Sequence, residues 1–348
     1  MAANRSSRRQ RGFSLIEIMV GIVIGLLAVL VIYQIFAAAE GIRRNTTGLG
    51  DAQQNGLLSS FMLSIELANA SNGVAVALND LLTCPATTDP ATTFRPIPIL
   101  ITDGGAGSDH FVVNYSLSNS GIVLAPFKAN AAAGNPYIVQ SPLGFKVGDI
   151  VVAVSEGGDC AASQIANITA PDANGQVTIT PVPPATFGLN SGAYLVNMGP
   201  SGGLQRVRYD VNIANAVLRS TSLWDANGQP ALGPASTPIA SNVVIMKLQY
   251  GVVDPATNTL SWVSATGPWS DAAVLAANAA TLRQIQSVRI GVVVQSEQFD
   301  KNWALQQPAP TWSLFCDPGP CLTGALTAGF RYRSYETSVP LRNPVWNL

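Results

Sequence analysis

The chain has 348 residues, of which 47% are apolar and only 11% are charged. About a quarter of the residues in a typical globular protein are charged, so this composition excludes a coiled coil and a disordered tail. Nineteen basic and twenty acidic residues give a net charge of −1. Such a balance provides no long-range field for binding nucleic acid, and no nucleic acid is predicted as a direct partner.

A long and predominantly apolar run, residues 15–36, is the first predicted element. A helix of that length rises about 33 Å, which is enough to cross the hydrocarbon core of a membrane. Four arginines precede the run and none follows it directly: Arg5, Arg8, Arg9 and Arg11. This asymmetry predicts a single membrane pass with the N-terminus in the cytoplasm and the rest of the chain in the periplasm.

Three interpretations of this segment compete. A secretory signal would be cut at Ala37–Ala39, and a plain anchor would stay uncut, but neither explains the acidic residue Glu17 inside the run. A carboxylate within a membrane segment costs about 2.5 to 3.5 kcal/mol and therefore calls for a partner. The third interpretation, a segment built for assembly with other copies of the same type, supplies one.

Residues 11–17, RGFSLIE, resemble the class III signal of type IV pilins and type II secretion pseudopilins. The resemblance implies that a prepilin peptidase cleaves after Gly12 and methylates the new amino terminus at Phe13. Residues 1–12 would then be a leader, and residues 13–70 one long helix whose transmembrane part covers about 15–36. Glu17 would pair with the Phe13 ammonium of an adjacent subunit and set the axial register.

Beyond the membrane segment, residues 51–68 carry large apolar residues at helical spacing (Leu57, Leu58, Phe61, Met62, Ile65, with Ala68). This pattern predicts an amphipathic helix that packs on a sheet. Gly41, Gly48, Gly50 and Gly56 are expected to weaken its middle.

The remainder, residues 71–348, alternates short β-like runs with turn residues and predicts a β-rich periplasmic head. The only other predicted helix covers residues 270–284. A subdivision of the head is predicted, if there is one, near residue 200. The expected fold class is α+β and pilin-like, with a long N-terminal helix packed on an antiparallel sheet. The predicted strands are 111–116, 149–155, 176–180, 193–198, 205–210, 216–221, 243–253, 287–295 and 331–339.

Several stretches of the head resemble the PilW group of minor pilins. The segment 205–219 is similar to that group's strand, turn and strand, and 243–254 with 287–295 to its paired sheet strands. The segment 331–343, which contains Leu-Arg-Asn, resembles its C-terminal strand, and 145–154 resembles an earlier strand entry with Val-Gly-Asp.

Four cysteines fit two disulfides in an oxidising compartment. Cys316 and Cys321 flank a turn rich in proline and glycine, so a bond between them is the favoured pairing. It would leave Cys84 with Cys160, although four cysteines permit three connectivities.

Two motifs suggest chemistry, but neither has the context that it needs. Ser201 lies in a G-x-S-x-G pattern, yet its flanks are strand-like and His110 precedes it, so a hairpin loop is the simpler interpretation. Residues 104–109 fit one unit of a calcium-binding repeat that requires several copies. No catalytic residue, metal site or cofactor is predicted, and the protein is not expected to be an enzyme.

The resemblance implies a minor pilin that is held in the inner membrane and then joins a type IV pilus at the cell surface. Its expected partners are the prepilin peptidase, the major pilin, other minor pilins and a pilus tip adhesin. It would prime assembly or be incorporated, and support adhesion, twitching motility or DNA uptake. The alternatives are a minor pseudopilin of a type II secretion system and, from another class, a membrane-anchored periplasmic binding module.

Overall fold

The structure is a computed structural model that describes residues 14–70, 72, 84, 97–116, 124–224, 235–317 and 319–341. Within these residues, one long helix, α1 (Leu15–Ala68), is followed by seventeen β-strands, three short α-helices and one 3-10 helix (Gly267–Trp269). This arrangement is the α+β architecture predicted from the sequence. The chain divides into two compact units, Met1–Gly50 and Asp51–Leu348.

The first unit contains the N-terminal part of α1. The helix begins where the Ser14 carbonyl accepts hydrogen bonds from the backbone N–H groups of Glu17 (3.0 Å) and Ile18 (3.2 Å). Its most apolar 18-residue window has a mean hydropathy of 3.0 and is not buried by protein. The helix is therefore long and apolar enough to cross a membrane. Gly41, Gly48 and Gly50 lie within it without interrupting it.

The second unit contains the sheets, in which every pair of neighbouring strands is antiparallel. A five-stranded sheet has the order β1 (Ile99–Thr102), β2 (His110–Ser116), β9 (Leu204–Asn212), β10 (Val217–Ser222) and β11 (Ser236–Ser241). A four-stranded sheet has the order β13 (Leu260–Ser264), β12 (Val243–Val253), β14 (Ile285–Gln295) and β17 (Tyr332–Pro340). A hairpin pairs β15 (Thr311–Leu314) with β16 (Leu322–Ala325).

The third large sheet has six strands, in the order β3 (Leu124–Pro126), β8 (Tyr194–Pro200), β5 (Asp149–Val154), β6 (Cys160–Ile168), β7 (Val177–Val182) and β4 (Tyr137–Val139). All nine predicted strands are present, and their ends are shifted by at most two residues. The sequence did not predict the other eight, because most are short or lack alternation, and β6 is rich in alanine and polar residues.

The six-stranded sheet is an insertion between two neighbouring strands. Strands β2 and β9 pair directly, with Ser116 opposite Leu204, yet the whole of the six-stranded sheet lies between them in sequence. The turn at 201–203 therefore connects two different sheets and is not the hairpin loop expected around Ser201. The predicted subdivision near residue 200 falls where the chain changes sheets, although both sheets belong to one compact unit.

The prediction of one continuous helix over residues 270–284 is wrong. The segment is split into α2 (Asp271–Ala276) and α3 (Ala279–Leu282), because Ala277 is extended with ψ 150°. The Asn278 side chain accepts a hydrogen bond from the Thr281 N–H at 2.8 Å and so caps a new helix. A further helix, α4 (Lys301–Gln306), was not predicted because six residues are too few to show a period.

The membrane-distal part of α1, residues 51–68, belongs to the second unit and packs into its main core. The buried face consists mostly of small residues at helical spacing: Ala52, Gly56, Ser59, Leu63 and Leu67. Ala52, Leu63 and Leu67 join one cluster with residues of the five-stranded and four-stranded sheets. The prediction that this segment packs on a sheet is confirmed, but the predicted packing face is wrong, because the large apolar residues point elsewhere.

At Gly56 the helix lies very close to the sheet. A Cβ atom added there would overlap the Tyr335 ring in β17, so the ring would have to move. Glycine at this position therefore has a packing role, rather than the weakening role predicted from its helix propensity. The absence of a side chain lets the helix lie directly against the four-stranded sheet.

We expect Gly56→Ala to destabilise the second unit by about 1 to 3 kcal/mol, because the added methyl group displaces Tyr335 from its site. The matched control is Gly50→Ala, which has open space around its Cβ position and should gain up to about 1 kcal/mol from helix propensity. Thermal unfolding of the full-length protein in detergent measures both. Equal melting temperatures for the two variants would contradict the close approach.

Candidate functional site

The large apolar residues of the predicted stripe form an exposed surface on α1, which we call the outer face: Leu57, Leu58, Phe61, Met62 and Ile65. Leu57 is 56% exposed and Phe61 is 62% exposed. Because successive residues are rotated by about 100°, these positions are centred roughly opposite the buried face. The helix therefore has two apolar faces, one that packs small residues together with Leu63 and Leu67 against the core and one made of large residues in contact with solvent.

Glu17 lies in the first turn of α1, within the apolar span, and its side chain is exposed in this single chain. Acidic residues are favoured in a first helical turn because the free N–H groups there carry partial positive charge. Gly12 and Phe13, the predicted processing residues, lie outside the described residues. The register role of Glu17 and the cleavage position therefore remain predictions.

The structure joins the four cysteines in two disulfides, Cys84 with Cys160 and Cys316 with Cys321. The first bond links Cys84 to the start of β6 across 76 residues of sequence. In the chain-entropy picture a loop of this size contributes about 4 to 5 kcal/mol. It therefore ties the six-stranded insertion to the segment that precedes β1.

The loop that fits a calcium repeat is organised by a lysine. Lys247, in β12, is 3% exposed and donates hydrogen bonds to Asp109 Oδ1 at 2.6 Å and to the Gly105 carbonyl at 2.7 Å. Asp103 Oδ1 lies 3.4 Å from the same ammonium. The Lys247 ammonium therefore supplies the positive charge beside these two aspartates, at the place where a calcium ion would otherwise be expected. No cluster of three or more metal-ligating side chains occurs among the described residues.

Ser201 and His110 are not brought together. Ser201 lies in the turn just before β9, near the end of β2 that carries Ser116. His110 is at the opposite end of β2, six residues away, which corresponds to about 20 Å along a strand. The G-x-S-x-G pattern therefore has no histidine base within reach.

Glu66 fixes the end of α1 to the five-stranded sheet. Its carboxylate lies beside the hydroxyl groups of Tyr115 and Tyr209 and interacts electrostatically with both. Burial raises the pKa of both tyrosines well above the ordinary value, and the nearby negative charge of Glu66 raises it further. The neutral tyrosines and the charged carboxylate thus stabilise the orientation in which the outer face of α1 is exposed.

Comparisons with known proteins agree with this arrangement. The model of the family Type IV Pilus-assembly protein W (PilW) matches residues 207–343, and that of the prokaryotic N-terminal methylation motif matches residues 7–33. These two matches support a PilW-like type IV pilin, and more specifically a pilus-related minor pilin. Pilins of this type are typically structural proteins, and the long apolar N-terminal helix fits a membrane-anchored pilin.

Among solved structures, the pilin is similar to the type IV-like pilin TTHA1219 from Thermus thermophilus, with 11% sequence identity and a TM-score of 0.34. The similarity covers 85% of this pilin and 98% of that chain, and it is too weak to support a conclusion about function. No curated protein matches the pilin.

The PilW match covers β9 to β17 and excludes the six-stranded insertion. The segments that resemble PilW pair as expected: β9 with β10, and β12 with β14. Arg219, which closes the first of these segments, forms an ion pair with Asp210 at 2.7 Å. The C-terminal segment of the resemblance forms β17, which extends the same sheet.

Sequence reasoning missed two residues that organise this part of the pilin. No sequence pattern indicates that Lys247 contacts the loop 103–109, because Lys247 is at least 138 residues away from Asp109 and Asp103 in sequence. Arg289 is stacked between Trp262 and Phe315, with its guanidinium carbon 5.1 and 4.6 Å from the ring centres. It also donates a hydrogen bond to the Asp317 carbonyl at 2.9 Å, so it holds the loop of the second disulfide against the sheet.

The tyrosine contacts of Glu66 predict a stability that depends on pH. Because the folded-state pKa of Tyr115 is raised, its contribution is complete below the unfolded value near 10 and is lost as the pH rises above it. We expect Tyr115→Phe to be less stable than the wild type by about 1 to 3 kcal/mol at pH 8. The unfolding free energies of the wild type and the variant, plotted against pH, should converge above pH 10. Denaturant titrations between pH 8 and 11 measure this, and parallel curves would contradict it.

Proposed function

We propose that this pilin is cleaved after Gly12 by a prepilin peptidase and methylated at Phe13, and is then held in the inner membrane with its head in the periplasm. From there it is incorporated into a type IV pilus or primes its assembly. The match of the N-terminal methylation motif to residues 7–33 supports the processing step. The description of the PilW family supports a pilus rather than a type II secretion pseudopilus.

The observation that carries this proposal is the exposed outer face of α1. Contiguous apolar surface on a soluble part of a protein marks an interaction site. An anchored binding module would need only the membrane span and would gain nothing from Leu58, Phe61 and Ile65 exposed beyond it. In an assembled pilus, this face is covered by the helices of neighbouring pilins.

Glu17 provides the second element of assembly. Inside a bundle of apolar helices, its carboxylate pairs with the N-methylated ammonium of Phe13 in an adjacent subunit. The pair replaces two costly isolated charges by a neutral contact, and it allows only one axial offset between neighbours. Removing one partner leaves the other buried and unpaired.

The proposed partners are the major pilin, other minor pilins and a pilus tip adhesin. Through them the pilin contributes to adhesion, twitching motility or DNA uptake. The disulfides suit these surroundings, because a bond such as Cys84–Cys160 is maintained in the periplasm and at the cell surface.

We expect Glu17→Ala to lower the ratio of this pilin in sheared filaments to that in the envelope by at least roughly tenfold, because an unpaired buried charge costs about 3 to 5 kcal/mol. Glu40→Ala, the same substitution outside the apolar span, is the control and should keep the ratio. N-terminal sequencing and mass of the mature wild-type protein should show an N-methylated Phe13 in both fractions. A start at Glu40 or an intact Met1 would overturn the proposal.

The outer face is tested by Leu58→Gln, which removes an exposed apolar contact without disturbing the core. We expect a reduction of roughly tenfold in the same ratio, corresponding to about 1.5 kcal/mol of lost burial in the assembled state. Leu305→Gln, at a 75% exposed leucine on α4, is the matched control. Equal incorporation of the two variants would show that the outer face is not an assembly surface.

A further inference from the structure

Strand β17 is the edge of the four-stranded sheet, and its outer side is unpaired among the described residues. Its one neighbour is β14, to which it pairs along its whole length from Tyr332 to Pro340. A row of unpaired N–H and C=O groups at an edge is a template for another strand, and natural proteins usually blunt such edges.

The other sheet edges in the described part of the pilin are blunted in ways that β17 is not. β3 and β4 have three residues each, and β1, β15 and β16 have four each. β11 contains Pro238 and a register shift against β10, and β13 has five residues. β17 has nine residues and an unbroken register. Length and regularity therefore single it out as the edge best suited to accept a strand.

The hydrogen bonds at the two ends of β17 identify which peptide groups point outward. The Leu341 N–H donates to the Gln286 carbonyl at 2.9 Å, and the Arg331 carbonyl accepts from the Ser296 N–H at 2.8 Å. Both residues thus direct their backbone groups inward. Because the direction alternates along an antiparallel strand, the groups of Ser334, Glu336 and Ser338 point outward. These three residues are also exposed.

The edge is held in an extended form before any partner arrives. On one face, Tyr335 lies against α1 at Gly56. On the other face, Glu336 Oε1 accepts a hydrogen bond from the Phe315 N–H at 3.1 Å, which links β17 to the segment after β15. Such preorganisation lowers the entropic cost of adding a strand.

We propose that an extended segment of another pilus subunit pairs with β17 and adds a fifth strand to this sheet. A peptide backbone is the chemistry that satisfies alternating donors and acceptors at strand spacing. Arg333 lies on the face of α1 and Glu336 on the face of the hairpin, so the added strand carries an acidic side chain beside the first and a basic one beside the second. The inference rests on the proposed function, since it takes the partner from the assembled pilus.

The test compares Ser334→Pro/Ser338→Pro with Ser334→Ala/Ser338→Ala. Proline at these positions removes outward N–H groups and obstructs the edge, but it leaves the inward bonds to β14 in place. Alanine removes the same hydroxyl groups and keeps the N–H groups. We expect the proline variant to fall at least roughly tenfold in the ratio of filament to envelope protein, as two lost hydrogen bonds of about 1 kcal/mol each imply, and the alanine variant to stay at the wild-type ratio.

A second measurement keeps the test decisive if the proline variant folds poorly. Amide exchange of the full-length alanine variant, purified in detergent, should be fast at Glu336 and slow at Thr337, whose N–H faces β14. In filaments, the exchange at Glu336 should become slow. Fast exchange there in filaments, or equal incorporation of the two variants, overturns the proposal. Slow exchange at Glu336 in the purified protein also overturns it, because the chain would then cover its own edge.

The failure of the proposed function gives a different result. In that case the wild-type protein would be missing from sheared filaments or would lack an N-methylated Phe13, and the strand proposal would fall with it. Wild-type protein present in filaments together with normal incorporation of the proline variant refutes the strand pairing alone.

Discussion

The close approach of α1 to the four-stranded sheet is the contact on which the rest of the arrangement depends. It is possible because Ala52, Gly56 and Ser59 present almost no side chain to the core. Gly56 in particular leaves room for the ring of Tyr335. With small residues facing inward, the large apolar residues of the same helix face outward. The orientation of α1 in this contact thus stabilises the head and also exposes the surface that we propose for assembly.

Charged side chains then hold particular elements in place. The partly buried Glu66 lies beside two tyrosines of the five-stranded sheet, and the buried Lys247 donates hydrogen bonds to the loop 103–109. Arg289 holds the loop of the second disulfide and stacks between two aromatic rings. Each charge has several partners, which is the condition under which a buried charge is tolerated. These contacts define the positions of the loops around a regular antiparallel frame.

The six-stranded insertion adds a second level to the head. It interrupts the pairing of β2 with β9 without breaking it, because those strands meet as direct neighbours. It has its own apolar clusters and a long-range disulfide. The PilW match begins after it, at residue 207. The matched segment contains β12, β14 and β17, whereas the six-stranded sheet, with residues 145–154, precedes it in the chain.

The sequence by itself determined the long N-terminal helix, its apolar span and the nine clearest strands. These follow from local signals: hydrophobic runs, alternation and turn residues act over a few neighbours. Residues Arg11 to Glu17 also pointed to the family without any fold.

Tertiary structure alone decided which apolar face of α1 is buried, since Gly56 fits against Tyr335, which lies far along the chain. It also decided that Lys247 fills the acidic loop, that the chain changes sheets at residues 201–203, and that β17 is an open edge. Each of these features depends on contacts between residues that are distant in sequence. A local sequence pattern gives no information about the energies of such contacts.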